Sequence, residues 1–399
     1  METLESAAKI LFDHAECVKE TQIIPLGEAL GRIAAQDVVS PINVPPFDRS
    51  PLDGYCLHSE DIAGATKDSP AVLKVVGEAC AGCGQRFEVA RGQALRVMTG
   101  APVAEGCDCV IRQEDTDEGM EQVRMYASVG HNRNICWAGE DVAEGTVMVR
   151  AGEKLTASHI GVLSSLGVTQ VEVKRRVKAV LLCTGDELVQ PGEALTFGKI
   201  YDSNRAVLTA RLFELGVEAC VLSSEADDPQ HVADVLRDAA KDADIILTTG
   251  GVSVGKKDIF HQVLPLMGAE RLFWRVAMKP GTPMLCGKYD GKLMICLSGN
   301  PFAALACFEV FAKPVLRKLS GQSDYENIRV RAKLSGAFGK KSMGRRLIRA
   351  RFDGMQVHVN DDNHSSGSLG TMLGCNCLVD IPAGSDALRD GDEVEIILL

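Results

Sequence analysis

The spacing of hydrophobic residues changes along the chain, and each change predicts a different kind of structure. From Leu4 to Ala15 the apolar residues recur at helical spacing, so we predict one helix up to about residue 26. Between about 27 and 146, short strand-like runs are separated by Gly, Pro and Asp clusters, which is typical of a β-rich module. A second helix is predicted at Thr156–Leu166, so the β-rich module would be an insertion between two helical segments.

Residues 177–320 alternate apolar strands with amphipathic helices, which predicts a parallel sheet covered by helices. Ser203 and Asp228 are the predicted N-caps of two of these helices, because their side-chain oxygens can accept from a first-turn N–H. A longer helix is predicted at Phe302–Leu319. The buried strands are predicted at Ala179–Cys183, Ile245–Thr248 and Leu293–Leu297.

After about residue 325 the hydrophobic period becomes two, as expected for strands with one buried face. Arg345–Phe352 and Met355–Val359 flank Asp353-Gly354, which is a strong signal for a hairpin turn. A small β barrel is predicted from these strands together with Arg329–Leu334, Leu378–Ile381 and Glu393–Leu398.

The fold class predicted from these patterns is multidomain, α/β plus β, with a central parallel sheet. Four parts are expected: a helical linker domain (1–26 and 147–176), a β-rich inserted domain (27–146), an α/β domain (177–325) and a C-terminal β-barrel domain (326–399). A chain of 399 residues is too long for a single ordinary core, which agrees with this division.

The composition, with 46% hydrophobic and 24% charged residues, is ordinary for a globular protein. A formal net charge of −11 disfavours nucleic acid and anionic membranes as partners, because an acidic surface repels polyanions. The chain starts without the basic head of a secretory signal, and no apolar run approaches the roughly 20 residues that cross a bilayer. We therefore expect a cytoplasmic protein that binds neither membrane nor nucleic acid.

Fourteen cysteines raise the question of a metal or disulfide framework. Cys80 and Cys83 form a C-x-x-C pair, but no second pair stands at zinc-site spacing. Reduced and mostly buried thiols are the favoured interpretation, and a zinc ion at Cys80 and Cys83 is the alternative.

The candidate ligand-binding turns follow directly after the predicted parallel strands. The runs that follow these strands are TGDE at 184–187, GGVSVGKKD at 250–258 and SGNP at 298–301. Glycine lets the backbone approach an anion closely, and ligands of open α/β sheets bind at the carboxyl ends of the strands. Three such turns at one edge predict an anion-binding cleft; ordinary tight turns are the alternative.

Acidic residues stand at the same strand ends. Carboxylates beside a phosphate would repel it unless a cation such as Mg²⁺ lies between them, so we favour Glu187 and Asp258 as site residues and retain Asp227 as a further candidate. Asp228 is better explained as a helix cap and Asp186 as a turn residue.

A cluster of basic residues lies close to these acids in the sequence. Lys279 is its best candidate, because Pro280 and Gly281 fix the loop that presents the ammonium group. For Lys256 and Lys288, a solvated basic face is the simpler interpretation.

A series of short motifs, distributed over nearly the whole chain, resembles those of the molybdopterin molybdenumtransferases. These are the bacterial MoeA proteins, which are similar to the C-terminal domain of gephyrin. The motifs are SPLDGY (50–55), MTGAP (98–102), QEDT (113–116), GED (139–141), TGDEL (184–188), DSN (202–204), GGVSVG with a later Asp (250–258), MKPG (278–281) and SGNP (298–301).

The resemblance implies an activity: insertion of molybdate into adenylyl-molybdopterin with release of AMP, assisted by Mg²⁺ or, as the alternative, Zn²⁺. It also implies an elongated homodimer whose site lies between subunits, with the α/β domain binding molybdopterin. Molybdopterin adenylyltransferase and molybdoenzyme maturation proteins are candidate partners. The positions that match functional residues of the family are Asp53, Thr99, Asp141, Glu187, Asp227, Asp258, Lys279 and Pro301.

Motif matching and strand-end chemistry together predict three groups of site residues. The expected catalytic residues are Asp53, Asp141, Glu187, Asp258 and Lys279. The expected substrate-binding residues are Thr99, Gly250, Gly251, Ser253, Arg275, Ser298 and Pro301. The expected metal ligands are Glu187, Asp227 and Asp258. For Asp53, Thr99 and Asp141, which rest on the resemblance, a role in local turns is the alternative.

The sequence departs from the family pattern at three places. Cys136, Trp137 and Ala138 fill a gap where the family usually has a basic residue, which leaves open how the anion is steered. Arg275 stands where most members have Lys, and Ser298 where most have Pro.

Two other functions are consistent with parts of this pattern. A molybdopterin adenylyltransferase would resemble the α/β domain alone, whereas a non-catalytic scaffold would not need to keep Asp53, Glu187, Asp258 and Lys279. The sequence does not distinguish molybdate from tungstate as the metal substrate.

Overall fold

The computed structural model describes residues 1–223, 228–252, 258–359 and 364–399. The chain forms two compact units. The first unit contains Met1–Gln36, Ala151–Thr156 and Gln170–Leu399, and the second contains Asp37–Arg150 and Ala157–Thr169. The finer division into four parts with the boundaries given above remains a prediction.

The start of the chain is less helical than its hydrophobic spacing predicted. The first helix spans Leu4–His14, and the side chain of Thr3 caps it by accepting from the N–H of Ser6. The expected continuation to about residue 26 is wrong: Thr21–Pro25 is a strand that pairs antiparallel with Gln170–Lys174. The sequence TQIIP explains this difference, because β-branched residues and proline favour extended backbone.

A six-stranded sheet forms the centre of the first unit. Its strand order is Glu218–Ser223, Lys178–Cys183, Ile245–Thr249, Lys292–Leu297, Leu285–Tyr289 and Glu270–Trp274. The first four strands are parallel, as predicted, but the last two run antiparallel, so the sheet is mixed. The physical reason is the Asp290-Gly291 turn, whose two positive φ angles fit a tight hairpin that joins only antiparallel neighbours.

Helices cover both faces of this sheet. Along strand Lys178–Cys183, Leu181 points into one buried cluster with Leu208 and Phe302, while Leu182 points into another with Leu236. Because successive side chains of a strand alternate between faces, one apolar strand serves both cores. In the described part of the first unit, the α-helices are Leu4–His14, Ser203–Glu214, Pro229–Ala239, Phe260–Met267, Pro301–Cys307 and Lys313–Leu319.

The predicted N-caps were correct at one helix and wrong at the other. Asp228 accepts from the N–H of His231, and Pro229 occupies the first helical turn, as expected. At the other helix the cap is Asp202, whose carboxylate accepts from the N–H of Arg205 at 2.9 Å. Ser203 is instead the first helical residue.

The long helix predicted at Phe302–Leu319 contains a π-helical turn at Phe308–Ala312. Within this turn Glu309 is buried and forms ion pairs with Arg211, at 2.6 Å, and Lys313, at 2.8 Å. Burial lowers the pKa of Lys313, and the carboxylate of Glu309 opposes that effect. Glu309 therefore compensates the buried charge of Lys313, and Arg211, which is partly exposed, also pairs with Glu214.

The C-terminal strands close into the predicted small β barrel. Five strands pair in a ring, in the order Arg345–Phe352, Gln356–Val359, Arg329–Gly336, Glu393–Leu398 and Cys377–Ile381, with the last returning to the first. The hairpin at Asp353-Gly354 is confirmed by the antiparallel pairing of Phe352 with Val357. A short strand, Met278–Lys279, adds to the outside of this ring.

The second unit contains a five-stranded sheet. Its order is Cys109–Arg112, Gly54–Leu57, Gln93–Val97, Ala71–Ala79 and Gln122–Met125. A two-stranded ribbon, Val38–Val39 with Val147–Val149, and the predicted second helix, Ala157–Ser165, belong to the same unit.

All fourteen cysteines are free thiols, and seven of them are buried. Cys80 and Cys83 lie on a turn closed by a 3.0 Å backbone hydrogen bond. In the part of the chain that the structure describes, no helix is both long and apolar enough to span a membrane.

We predict that Gly54→Ala destabilises the protein by about 2–4 kcal/mol, because an added Cβ would lie 1.9 Å from the carbonyl oxygen of Ile111 in the neighbouring strand. Gly84→Ala is the matched control in the same unit, since a Cβ there meets nothing within 4 Å. Thermal unfolding of the two variants, followed by circular dichroism, measures the difference. Equal melting temperatures would contradict the close packing at Gly54.

Candidate functional site

Three neighbouring parallel strands end at the same level of the central sheet. Cys183 pairs with Thr249, and Thr249 pairs with Leu297, so these last residues are in register across the sheet. The turns that begin at Thr184, Gly250 and Ser298 therefore leave the sheet side by side at its carboxyl edge. This is the position at which open α/β sheets bind ligands.

Glycine at position 250 is required by the closeness of these turns. Its φ angle is +95°, and an added Cβ would lie 2.2 Å from the carbonyl oxygen of Thr184. The Cβ position of Gly299 is in turn 3.4 Å from the Cα of Gly250. The three turns thus pack backbone against backbone, with no side chain at Gly250 or Gly299 to hold them apart.

A buried hydrogen-bond network holds the turns together. The side-chain amide of Asn204 donates to the hydroxyl of Thr249 at 3.0 Å and to the carbonyl of Gly299 at 2.7 Å. The hydroxyl of Thr249 donates to the carbonyl of Ser298 at 2.9 Å, so it must accept from Asn204. This fixes the orientation of the amide.

The side-chain oxygen of Asn204, Oδ1, takes no part in this network. This atom is buried and has no hydrogen-bond partner within the described residues, and Asn204 lines the cavity between the turns. A buried acceptor without a donor is unfavourable. The arrangement therefore suits a ligand that brings an N–H or O–H group.

The turns enclose a cavity of about 420 Å³, which we call the edge cavity. Six of the predicted site residues line it: Glu187, Gly250, Gly251, Asp258, Ser298 and Pro301. The sequence reasoning did not assign a role to several other lining residues, namely Tyr201, Asp202, Asn204, Pro283 and Asn300. The DSN motif at 202–204 was the signal that could have found two of them.

Three acidic residues among those described line the edge cavity; Asp202 caps a helix, and the other two, Glu187 and Asp258, lie on different turns. The carboxylate of Glu187 folds back toward its own turn, since its Oε2 is 2.9 Å from the Cβ position of Gly185. Asp258 is half-buried at the opposite turn. Within the described residues, no group of three or more His, Cys, Asp or Glu side chains is arranged to hold a metal ion.

These donors nevertheless fit one particular metal. Mg²⁺ is usually bound by one or two carboxylates, with water and substrate phosphates completing its coordination. The described lining of the edge cavity contains no His or Cys, which are the side chains that Zn²⁺ prefers. The residues present therefore suit Mg²⁺ and a phosphate-bearing substrate better than Zn²⁺.

The two predicted cations lie outside this lining. Lys279 is exposed on its short strand beside Arg346 of the barrel, although Pro283 of the same loop reaches the edge cavity. The guanidinium group of Arg275 stacks over the ring of Trp274, 4.5 Å from its centroid. Asp227, Ser253 and the two lysines at 256 and 257 lie outside the described residues.

Asp53 and Thr99 are brought together in the second unit. The Oδ1 of Asp53 accepts from the backbone N–H of Thr99 at 2.7 Å and from its hydroxyl at 2.8 Å. These two hydrogen bonds, the backbone bond first, lower the pKa of Asp53. The carboxylate is therefore held ionised in a fixed orientation.

Asp141 is placed differently from that pair. Its side chain is exposed, and its backbone N–H donates to the carbonyl of Val44 at 3.0 Å. The departure from the family pattern lies nearby, where the N–H of Ala138 donates to the carboxylate of Asp48 at 2.8 Å and Trp137 is partly exposed.

A serine outside all the sequence motifs supports the SGNP turn. Ser366 accepts from the side-chain amide of Asn300 at 3.0 Å, and its carbonyl accepts from the N–H of Phe302 at 3.0 Å. No local pattern distinguished this serine, because its contacts depend on the return of the chain to the helix that begins at Pro301.

Three family models match successive parts of the chain. The MoeA N-terminal region (domain I and II) matches residues 2–167, a probable molybdopterin binding domain matches 180–318, and the MoeA C-terminal region (domain IV) matches 331–399. Together the three matched ranges cover most of the chain without overlapping.

Relatives and solved structures agree with these matches over the full length. A molybdopterin molybdenumtransferase of Staphylococcus epidermidis is 33% identical over 399 residues, covering 99% of this chain and 94% of the relative. One of Staphylococcus aureus is 33% identical over 379 residues, covering 94% and 90%. The molybdopterin biosynthesis moeA protein of Pyrococcus horikoshii OT3 has a TM-score of 0.87 at 30% identity, with both chains covered fully.

We predict that Thr99→Val raises the pKa of Asp53 toward its ordinary value, because the hydroxyl donor is lost while the backbone N–H remains. Carboxyl NMR titration of the side chain measures the change. Since the folded pKa is depressed, the contribution of this pair to stability is present above the unfolded pKa and is lost as pH falls through the folded pKa. Thr146→Val, in the same unit, is the control, and an unchanged pKa in Thr99→Val would rule out the hydroxyl contribution.

Proposed function

The chain belongs to the molybdopterin molybdenumtransferase family, and from that premise we propose that it inserts molybdate into adenylyl-molybdopterin with release of AMP. The observation that supports this assignment most is the edge cavity, where three backbone turns and two carboxylates meet. Such a cavity suits a ligand that carries phosphates and hydrogen-bonding ring nitrogens.

The turns supply the groups that bind the substrate. Peptide N–H groups at Gly251 and Gly299 are proposed to donate to the phosphates, because the absence of side chains lets an anion approach the backbone. The buried Oδ1 of Asn204 is proposed to accept from an N–H of the pterin ring. The substrate would then be fixed at both its charged and its polar ends.

Glu187 and Asp258 are proposed to hold a Mg²⁺ ion, with Asp227 as a third ligand from outside the described residues. When bound, the ion supplies charge neutralisation at the phosphoanhydride. Without it, two carboxylates and several phosphates would share one cavity and repel each other. The carboxylates of this chain therefore position the charge that makes AMP a good leaving group.

Lys279 and Arg275 are proposed to hold molybdate, because both carry the charge that an oxyanion requires.

Asp53, Thr99 and Asp141 are proposed to act in the same reaction. Because the family resemblance implies a site between subunits, this proposal includes a homodimer. Adenylyltransferase and maturation proteins remain proposed partners, and the cytoplasm remains the proposed compartment. Sedimentation of the purified chain would test the dimer.

The two alternatives from the sequence account for less of the chain. An adenylyltransferase explains the α/β domain, whereas family matches also cover residues 2–167 and 331–399. A scaffold without catalysis gives no reason for the carboxylates of Glu187 and Asp258 to share a cavity with an acceptor that has no partner among the described residues.

We predict that Glu187→Gln lowers the rate of AMP release from adenylyl-molybdopterin, with molybdate and Mg²⁺ present, by about 100-fold or more, because a metal ligand at the leaving phosphate is lost. Asp258→Asn should act in the same direction. Glu270→Gln, at an exposed carboxylate on the edge strand of the same sheet, is the control and should keep the wild-type rate. Wild-type rates in both cavity variants would remove these residues from the reaction.

We predict that Lys279→Ala raises the molybdate concentration required for half-maximal turnover by about 10-fold, since one charge-assisted contact to the oxyanion is lost. The rate at saturating molybdate should change much less. Lys241→Ala, at an exposed lysine paired with Asp238, is the control. An unaltered molybdate dependence in Lys279→Ala would reject the assigned role.

A further inference from the structure

A second cavity, of about 530 Å³, lies at the opposite edge of the same sheet. Val177 and Val217, which directly precede two of the parallel strands, are part of its lining. A strand of six residues spans about 20 Å, so this cavity is separate from the edge cavity. All of its lining residues belong to the first unit and are described.

The lining of this second cavity is basic, although the protein as a whole carries a net charge of −11. We call it the basic cavity. A single carboxylate, Glu214, is part of it. Its cationic residues are Arg32, Lys154, Lys174, Arg175, Arg176 and Arg317.

Two of the charges in this lining are already compensated. Arg175 forms ion pairs with Asp244, at 2.7 Å, and with Glu20, at 3.3 Å. Glu214 is paired with Arg211, so it does not neutralise the cavity.

The remaining cations contact neutral groups. Arg32 donates to the side-chain oxygen of Gln22 and to the carbonyl of Lys174, and Arg317 and Arg176 donate to backbone carbonyls. Neither Lys154 nor Lys174 forms an ion pair in the described part of the chain. Burial, and then repulsion from Arg176, lowers the pKa of Arg32, while the carboxylate of Glu218 opposes these effects.

Two exposed apolar side chains are also part of this lining. Phe213 is 81% exposed and Leu30 is 63% exposed, although both are large and hydrophobic. An aromatic ring beside several cations is a combination that binds a flat ring joined to an anionic group. The concave shape and the volume suit a small molecule better than an extended chain.

We propose that the basic cavity binds a small phosphate-bearing anion, at a site separate from the proposed reaction. Lys154, Lys174 and Arg32 would contact the phosphate oxygens, and Phe213 would contact a ring if the ligand carries one. Two sources share this chemistry, a nucleotide and inorganic pyrophosphate. The last residues of helix Ser203–Glu214 line the basic cavity and its first residues line the edge cavity, so one rigid element joins the two sites.

The test measures binding of pyrophosphate and of AMP to the full chain by calorimetry, with EDTA present. Without divalent cations, the carboxylates of the edge cavity repel these anions. The binding that is measured therefore does not depend on whether the edge cavity carries out the proposed reaction. Lys154→Gln and Lys174→Gln are the informative variants, because neither ammonium group supports the fold through a hydrogen bond in the described chain. Lys333→Gln, at an exposed lysine of the barrel, is the matched control.

We expect each cavity variant to weaken pyrophosphate binding about 5- to 10-fold and the double variant about 50-fold, with no change in the control. Phe213→Ala distinguishes the sources: weaker AMP binding with unchanged pyrophosphate binding indicates a nucleotide, and no change in either indicates the phosphate group alone. No binding of either anion at about 10 mM, or binding that the lysine variants leave unchanged, would overturn the proposal.

Discussion

The close approach of three backbone turns at one edge of the central sheet is the constraint on which the site depends. Thr184, Gly250 and Gly299 pack so tightly that a side chain at position 250 would overlap a carbonyl oxygen. Parallel strands in register bring the turns to this edge, and the buried amide of Asn204 holds them there. The peptide groups are thereby positioned before any substrate arrives, which reduces the cost of binding it.

The sequence predicted the elements whose signals are local and strong. The hairpin at Asp353-Gly354 and the cap at Asp228 follow from turn and cap chemistry that does not depend on distant residues. The antiparallel edge of the sheet was missed although Asp290-Gly291 carried the same kind of signal. The helix predicted to continue to residue 26 ended early, because tertiary pairing favoured a strand at Thr21–Pro25.

Site residues could be predicted from the sequence where they follow the end of a strand, because the strand ends determine where those residues lie. Glu187 and Asp258 follow buried strands, so their meeting at one cavity could be expected from topology. Asn204 and Ser366 could not be found in this way, since their contacts depend on which loops meet in three dimensions. Asp53 and Thr99 were identified as site residues from the family resemblance, because neither has a distinctive local pattern, and their hydrogen-bonded pairing was not predicted.

The central claim is that the edge cavity binds the substrate through glycine-lined turns and two carboxylates. A crystal structure of the chain with adenylyl-molybdopterin, molybdate and Mg²⁺ tests it most directly. The account predicts phosphate density against Gly251 and Gly299, with a metal ion bound to Glu187 and Asp258. Substrate bound at another surface, with these turns free of ligand, would contradict it.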